Sequence, residues 1–165
     1  MKRTRRSVLL GSGTAALALL VWSKFRPLAY AANAPFEVTH TDAEWRKLLS
    51  PESYAVLRQA STEAPFSSPL DMETRPGTYY CAGCDLALYS SKTKYDSGTG
   101  WPSFWKPLDN AILTSDDTSL GIDRTEVHCR RCGGHLGHVF PDGPPPTGLR
   151  YCMNGVALVF KPGAV

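Results

Sequence analysis

The chain has 165 residues, which is enough for one domain of ordinary size, and a formal net charge of +3. The basic excess belongs to residues 1–34, which contain six Lys and Arg residues and no acidic residue, so residues 35–165 carry a formal charge of −3. A domain with this balance lacks the broad positive surface of a nucleic-acid-binding protein, and we expect no nucleic-acid partner.

Residues 1–34 have the composition of an export signal. Arg5 and Arg6 precede an apolar run over 8–22, which is long enough for the core of a signal peptide and short for a membrane-spanning helix. Small residues follow in two Ala-x-Ala patterns, of which we favour cleavage after Ala31. Paired arginines in this setting are typical of a twin-arginine signal.

The domain organisation follows from this leader. We predict a twin-arginine-like signal peptide over 1–34, a single folded domain over 35–165 and a periplasmic location. An ordinary secretory signal and an uncleaved, membrane-tethering leader stay open as alternatives. Export of an already folded protein would suit a domain that loads a metal onto thiolates in a reducing cytoplasm.

Two short helices are predicted at the start of the domain. Thr41 and Glu44 form a capping-box pattern ahead of apolar residues at helical spacing. Ser50 followed by Pro51 is typical of a second helix start, and this helix is expected to run to about Ala60.

The rest of the domain has the sequence pattern of a β protein, because prolines and glycines recur and short apolar runs alternate with turns. Strands are predicted at 78–80, 85–90, 111–114, 125–129 and 156–160. The proline-rich segment 142–148 is predicted to be a stiff loop that leads to Cys152. Together these elements predict a mainly β fold, with an antiparallel, barrel-like core and an N-terminal helical flank.

Four of the five cysteines form two Cys-x-x-Cys pairs, at Cys81, Cys84, Cys129 and Cys132. Two such turns bring four thiolates into the tetrahedron that a structural zinc ion prefers, and no ligand position is left open for catalysis. Glycines in or after both turns favour this interpretation. Two structural or redox-active disulfides are the alternative. We predict one structural zinc ion.

The fifth cysteine, Cys152, is left over and lies in a polar setting. On an extended strand, Arg150 and Asn154 would share its face, while Tyr151 and Met153 would face the other way. A neighbouring cation stabilises a thiolate, and a buried inert cysteine would have apolar neighbours on its own face instead. The pattern therefore indicates a reactive thiol.

Two further groups of residues are candidates for the same chemistry. His135 and His138 lie three apart in a glycine-rich segment, which we interpret as a loop suited to proton transfer near neutral pH. His128 is interpreted as an ordinary strand residue without a role. The loop around Trp101 offers a rigid apolar surface that is either a ligand wall or an anchor of the minor core.

These motifs together resemble those of the B-type methionine sulfoxide reductases, the peptide-methionine (R)-S-oxide reductases. The similarity rests on Cys-Arg-Arg-Cys-Gly-Gly-His-Leu-Gly-His-Val-Phe-Pro-Asp-Gly followed by Arg-Tyr-Cys-Met-Asn-Gly within 129–155, on Gly-Trp-Pro-Ser-Phe at 100–104, on Cys-Ala-Gly-Cys at 81–84 and on Thr-Glu-Ala-Pro-Phe-Ser-Ser at 62–68. It covers essentially all of residues 37–162. The resemblance implies a β-rich core, a structural zinc held by four cysteines, and reduction of the R epimer of methionine sulfoxide.

The resemblance also implies roles for individual residues. Cys152 would be the nucleophile that attacks the sulfoxide sulfur and becomes a sulfenic acid. Trp101 would cover the S-methyl group, and Phe140 would help to wall the pocket. His135 and His138 would orient and protonate the sulfoxide oxygen.

The resemblance also implies that Arg150 and Asn154 support the nucleophile. One position departs from the pattern of many members, because Thr99 stands where they carry a resolving cysteine. We therefore expect an external, thioredoxin-like or other thiol reductant, and a monomer that acts on oxidised proteins or peptides. A non-catalytic zinc module, a zinc-ribbon nucleic-acid binder and a thiol–disulfide exchanger are the competing functions.

Overall fold

The structure is a computed structural model that describes residues 36–164. The predicted signal peptide and its cleavage position lie outside the described residues. Among the residues that are described, no helix combines the length and apolar character needed to cross a membrane.

The two predicted helices are present at the start of the domain. Helix α1 (Asp42–Leu48) begins after Thr41, whose side chain accepts from the Glu44 backbone while the Glu44 side chain accepts from the Thr41 backbone. Helix α2 (Pro51–Gln59) begins after Ser50 and ends at Ala60, which takes a left-handed conformation with φ 52°. Both predicted helix starts are confirmed, and the second helix ends next to Ala60, as predicted.

The described residues after α2 form antiparallel β-structure in two sheets. The strands are β1 (Gly77–Cys81), β2 (Ala87–Ser90), β3 (Lys94–Tyr95), β4 (Ser103–Phe104), β5 (Ile112–Asp117), β6 (Arg124–Cys129), β7 (His135–Phe140), β8 (Arg150–Met153) and β9 (Leu158–Pro162). The smaller sheet has the order β2-β1-β9, and the larger has the order β3-β4-β8-β7-β6-β5. The predicted mainly antiparallel β fold with short N-terminal helices is confirmed.

An aromatic cluster joins the two sheets. Tyr79 of β1 packs edge-on against Phe104 of β4, with ring centroids 4.9 Å apart, and Tyr89 of β2 stacks on Phe104 at 4.3 Å. All three side chains are fully buried. Burying three aromatic rings contributes on the order of several kcal/mol, so this cluster fixes the larger sheet, and the site that it carries, to the smaller sheet.

Three of the predicted elements differ from the structure. The histidine-containing segment predicted as a loop is strand β7, which lies between β6 and β8. Its glycine, Gly137, is required there because an added Cβ would lie 2.1 Å from the Cys152 carbonyl oxygen. The strands predicted at 85–90 and 156–160 also begin too early, since β2 starts at Ala87 and 155–157 form a 3-10 turn before β9. The proline-rich loop 142–148 contains neither helix nor strand, as predicted.

Candidate active site and metal centre

The four paired cysteines converge at one end of the domain. Their Sγ atoms all lie within 4.8 Å of one another. The Sγ–Sγ distance is 3.7 Å between Cys81 and Cys132 and 3.5 Å between Cys84 and Cys129. Tetrahedral zinc with Zn–S bonds of about 2.3 Å requires sulfur atoms about 3.8 Å apart, whereas a disulfide requires about 2.05 Å. The four thiols therefore fit a structural zinc ion and do not form the two disulfides of the alternative interpretation.

The two metal-binding turns share one backbone design. Each begins at the last residue of a strand, and the amide four residues later donates to the carbonyl of that first cysteine: Asp85 to Cys81 at 2.9 Å and Gly133 to Cys129 at 2.8 Å. Both donors are left-handed, with φ 58° and 68°. Gly83 has no such constraint, because an added Cβ would make only ordinary contacts. The prediction that the first turn needs a glycine at Gly83 is therefore wrong. The constrained position of that turn is Asp85.

The helical flank covers this metal centre. Arg58 of α2 donates to the carbonyl of Cys132 at 3.2 Å, and its guanidinium lies 4.9 Å from the centre of the Trp45 ring of α1. Trp45 and Leu57 are both buried. Helices and metal turns thus form one packed unit, in which the ion would crosslink the end of β1 to the end of β6.

The fifth cysteine lies in a different place, at the floor of a pocket in the larger sheet. The antiparallel register puts Cys152 of β8 directly opposite His138 of β7 on one side and opposite Ser103 of β4 on the other. The pocket has a volume of about 160 Å³. Its lining residues are Thr62, Trp101, Arg124, Gly137, His138, Phe140, Cys152 and Asn154.

Strand β8 separates polar and apolar side chains as predicted from its alternation. Met153 is fully buried on the core side, where it accepts a hydrogen bond from the Tyr89 hydroxyl at 3.1 Å. Cys152 points to the pocket. Asn154 lies just beyond the end of the strand, at the start of the 3-10 turn, and still lines the same pocket.

The electrostatic setting of Cys152 is less activating than its neighbour Arg150 suggested. Burial raises the pKa of the Cys152 thiol, and the opposing effects of Arg150 and of a hydrogen bond with Thr99 are smaller. Arg150 is itself engaged by Asp142 through two hydrogen bonds of 2.9 Å. Its guanidinium also lies 4.5 Å from the centre of the Phe140 ring. Arg150 does not line the pocket and instead holds the pocket wall.

His138 is held by a carboxylate that the sequence analysis did not identify. Its Nε2 atom lies 2.7 Å from Asp117 Oδ2, and the same carboxylate oxygen accepts from Arg124 at 2.6 Å. A ring nitrogen next to an ionised carboxylate must donate, so Asp117 sets the tautomer and the orientation of the ring. Hydrogen bonds from Ser119 and His138 hold the pKa of Asp117 well below its usual range.

His135 lies behind His138 and does not line the pocket. Its ring centroid is 5.3 Å from that of His138, and its Nδ1 atom lies 2.7 Å from Glu126 Oε1. Burial lowers the pKa of His135, while the hydrogen bond to Glu126 opposes that shift. His135 is therefore placed to support His138 rather than to touch a ligand. His128 is a strand residue of β6 and does not line the pocket, in agreement with the sequence interpretation.

Glu63 connects the pocket walls, although the sequence analysis gave it no role. Its carbonyl accepts from the Trp101 indole at 3.2 Å, and its amide donates to Asn154 Oδ1 at 2.9 Å. Its carboxylate accepts from the amides of Gly155 and Val156, at the start of the 3-10 turn. One residue of the 62–68 segment thus orients the tryptophan wall and the asparagine.

The pocket unites most of the residues singled out in the sequence. Cys152, His138, Trp101, Phe140 and Asn154 line it directly. The residues that sequence reasoning missed are Thr62, Arg124, Asp117 and Glu63. Thr62 and Glu63 belong to a motif that had been recognised without a function, whereas nothing in the local pattern marked Asp117 and Arg124, which reach the site only through the β5–β6 pairing.

Comparison with known proteins gives one consistent result. The sequence matches the SelR domain over residues 49–162. It is 57% identical over 127 residues to a "Peptide methionine sulfoxide reductase MsrB" of Pseudomonas putida strain W619, covering 76% of this chain and 96% of that protein. Proteins with the same name from Agrobacterium fabrum and Leptospira interrogans are 53% and 51% identical, each across 76% of this chain and across 94% and 97% of their own lengths.

Proposed function

Because the chain belongs to the SelR domain family, we propose that it reduces methionine sulfoxide in peptides and proteins to methionine, with selectivity for the R epimer. The observation that carries the proposal is the pocket itself, in which Cys152 lies opposite His138 and shares a cavity with Trp101. A thiol nucleophile, a ring able to deliver a proton and an apolar wall are what a methyl sulfoxide requires.

The reaction begins with attack of the Cys152 thiolate on the sulfoxide sulfur. His138, oriented by Asp117, supplies a proton to the sulfoxide oxygen and so neutralises the negative charge that develops there during the attack. The oxygen then passes to Cys152 as the new sulfur–sulfur bond and the S–O bond of the substrate break, which releases methionine and leaves Cys152 as a sulfenic acid. Sulfur is reduced in the substrate and oxidised in the enzyme, so the exchange of two electrons balances.

The walls of the pocket would select and position the substrate. Trp101, with its indole held by the Glu63 carbonyl, packs against the S-methyl group, and Phe140 closes the opposite wall under the Arg150 guanidinium. Asn154 is 97% buried and has its amide fixed by Leu136 and Glu63, so it provides a preorganised polar contact. An apolar wall beside a polar edge distinguishes the two arrangements around a chiral sulfur.

The zinc ion would take no part in this chemistry. Cys81, Cys84, Cys129 and Cys132 supply all four ligands and leave no position for substrate. When bound, the ion stabilises the fold by crosslinking two strands. Its energetic contribution adds to that of the helices that pack over it.

Recycling of Cys152 would need a thiol from outside the chain. The other four cysteines form the metal cluster, and at residue 99 a threonine, with no thiol, contacts Cys152. One external thiol condenses with the sulfenic acid and releases water, and a second thiol reduces the mixed disulfide. Mass spectrometry after turnover with glutathione should detect a mixed disulfide on Cys152. An intramolecular disulfide formed with zinc retained would contradict this cycle.

We also propose export of a monomer to the periplasm, supported by the paired arginines and the apolar run in residues 1–34. A thioredoxin-like protein of the same compartment would then be the reductant. Fractionation of cells that produce the full chain, with Arg5 and Arg6 replaced by lysine in a second strain, tests the route. Retention of the lysine variant in the cytoplasm is expected, and unchanged export would contradict twin-arginine transport.

The central test is an assay on separated R and S epimers of a methionine sulfoxide peptide, with dithiothreitol as reductant. The full chain is expected to consume the R epimer only, and Cys152→Ser is expected to be inactive with its zinc retained. Consumption of the S epimer alone, or full activity in the variant, would overturn the assignment.

A further inference from the structure

A chain of hydroxyl groups leads away from Cys152 into the protein. Thr99 Oγ1 lies 4.0 Å from Cys152 Sγ, Ser97 Oγ lies 2.8 Å from Thr99 Oγ1, and Ser103 Oγ lies 2.7 Å from Ser97 Oγ. Ser103 then donates to the Trp101 carbonyl at 3.0 Å. In the sequence, Thr99 stands out only as the position of an absent cysteine, and the proposed reaction makes no use of the two serines.

The direction of these bonds follows from the number of protons. Each hydroxyl has one proton to donate. Ser103 donates its proton to the Trp101 carbonyl. Ser97 must therefore donate to Ser103, and Thr99 must donate to Ser97. Thr99 is then left with an acceptor facing Cys152. This arrangement suits a protonated thiol and would leave a thiolate without a donor from this side.

The opposite arrangement suits the thiolate. If all three hydroxyls rotate, Ser103 donates to Ser97, Ser97 donates to Thr99, and Thr99 donates to Cys152. Only the bond to the Trp101 carbonyl is lost, and each remaining bond polarises the next. The distance of 4.0 Å is at the long end of the range for sulfur, so the contact can shorten once Sγ carries a charge.

The backbone around these residues contains two positions that favour glycine. Gly98 and Gly100 flank Thr99 with φ values of 70° and 88°, a region that glycine occupies without strain. An added Cβ at Gly100 would lie 2.8 Å from the Phe66 amide nitrogen. Ser103 is fully buried, opposite Cys152 in the β4–β8 pair. Thr99 therefore lies between two backbone positions that favour glycine, and the β4–β8 pairing places Ser103 beside Cys152.

We propose that Thr99, Ser97 and Ser103 form a hydroxyl relay that reverses direction when Cys152 ionises and keeps the thiolate hydrogen-bonded. Thr99 contacts the nucleophile, and Ser97 and Ser103 are positioning residues that act through it. The inference rests on the proposed role of Cys152 as the nucleophile.

Other groups around Cys152 leave a place for this relay. The charged and titratable side chains around it are Arg150 on its own strand, Asp142 from the preceding loop, His138 from β7, Tyr95 from β3 and Arg124 of β6, which lines the same pocket. Arg150 is shared with Asp142, and His138 is directed at another carboxylate. Burial raises the pKa of the Cys152 thiol, whereas the Thr99 hydrogen bond lowers it.

The pH dependence of Cys152 alkylation tests the relay without requiring reductase activity. Iodoacetamide modification is followed by peptide mass in the zinc-loaded full chain. Thr99→Val keeps the shape and removes the hydroxyl, and it should shift the midpoint of the profile to higher pH. Thiolate content at neutral pH should fall about three- to tenfold, because each pKa unit is a factor of ten. Ser97→Ala should give a smaller decrease, about twofold to threefold.

Two variants serve as controls. Thr99→Ser restores the hydroxyl and should return the profile close to that of the parent protein. Thr114→Val makes the same change at an exposed position of β5 and should leave the profile unchanged. A Thr99→Val profile identical to the parent profile, or a shift in Thr99→Val with none in Ser97→Ala, would overturn the relay. If Thr99→Val does not fold, Ser97→Ala and Thr99→Ser decide between the same outcomes. The alkylation result stands even if the sulfoxide assay fails.

Discussion

The metal centre and the pocket use the same side chain in opposite ways. At the metal centre four thiols lie within 4.8 Å of one another, at the ends of two strands. In the pocket one thiol lies mid-strand, with a histidine opposite it on one side and a serine on the other. Thiolates bound to a metal have lost both their proton and their accessibility. The Cys152 thiol, in contrast, must lose its proton before it can act as a nucleophile.

The difference shows that the neighbours of a cysteine decide its chemistry. The metal turns are made by the local backbone, with left-handed residues at Asp85 and Gly133 that bring two sulfurs together. The pocket is made by long-range strand pairing, which brings Cys152 and His138 opposite each other and lets β5 deliver Asp117. Variants at the metal turns should therefore lower the stability of the whole domain, whereas variants in the pocket should lower activity and leave the metal site intact.

The largest expected effect is removal of the metal. Cys132→Ser, or treatment with a strong chelator, should unfold the domain, because a structural zinc site contributes on the order of 10 kcal/mol and a domain of this size is stable by about 5–15 kcal/mol. Circular dichroism and zinc analysis measure this directly. Cys152→Ser is the matched control and should keep one zinc per chain and its melting temperature. Equal stability of Cys132→Ser and the parent protein would show that the cluster is not a structural metal site.

The next effect concerns proton delivery in the pocket. His138→Gln should lower kcat by about a hundredfold or more, the usual contribution of a general acid. Asp117→Asn keeps the size of the residue but offers an amide, so it should lower kcat by about tenfold through misorientation of the ring. Both are measured with the R epimer at fixed reductant.

His128→Gln is the control for this pair, because His128 lies on β6 and does not line the pocket. Its activity should stay within about twofold of the parent protein, as expected for a residue outside the site. Parent-like activity in His138→Gln would remove histidine from the mechanism and leave water as the proton source.

The sequence predicted local features of this molecule better than distant ones. The helix caps at Thr41 and Ser50 and the Cys-x-x-Cys metal turns depend on residues three or four apart, and the structure contains all of them. Strand β7 was mistaken for a loop because the segment around it is rich in glycine, whereas Gly137 is needed for close approach of the Cys152 carbonyl. That requirement arises only once β7 and β8 are paired.

The residues of the candidate site show the same difference between local and distant features. The pocket-lining positions of Cys152 and Trp101 could be anticipated because they lie in dense motifs. The partners of His138 and Trp101, namely Asp117 and Glu63, lie 21 and 38 residues away in the chain. Contacts over such separations depend on the sheet register and on the path of the 62–68 segment, and a single sequence contains no local signal for either.

A sixth cysteine would give the solitary thiol of Cys152 a neighbouring thiol, as the clustered cysteines have. Thr99→Cys places a second thiol next to Cys152, where the parent side chains approach to 4.0 Å. One equivalent of sulfoxide should then yield an intramolecular disulfide that is absent from the parent protein, because a neighbouring thiol condenses with a sulfenic acid. Peptide mapping with zinc retained detects it. Persistent sulfenic acid in this variant would indicate that the 98–100 loop holds residue 99 in the wrong orientation.

The smallest expected effect comes from the residue that ties the pocket walls together. In Glu63→Gln one carboxylate oxygen becomes an amide nitrogen, so one of the amides of Gly155 and Val156 loses its acceptor. Loss of one charge-assisted hydrogen bond should reduce the free energy of unfolding by about 1–2 kcal/mol. KM for the R epimer should rise about threefold while zinc content is unchanged, because small displacements of Asn154 weaken substrate positioning. Denaturant unfolding and steady-state kinetics measure the two effects.

Asp109→Asn, at an exposed carboxylate 3.7 Å from Lys106, should change neither quantity. An equal response of the two variants would mean that Glu63 contributes only surface charge, and the pocket walls would then be held by the backbone bonds of residue 63 alone.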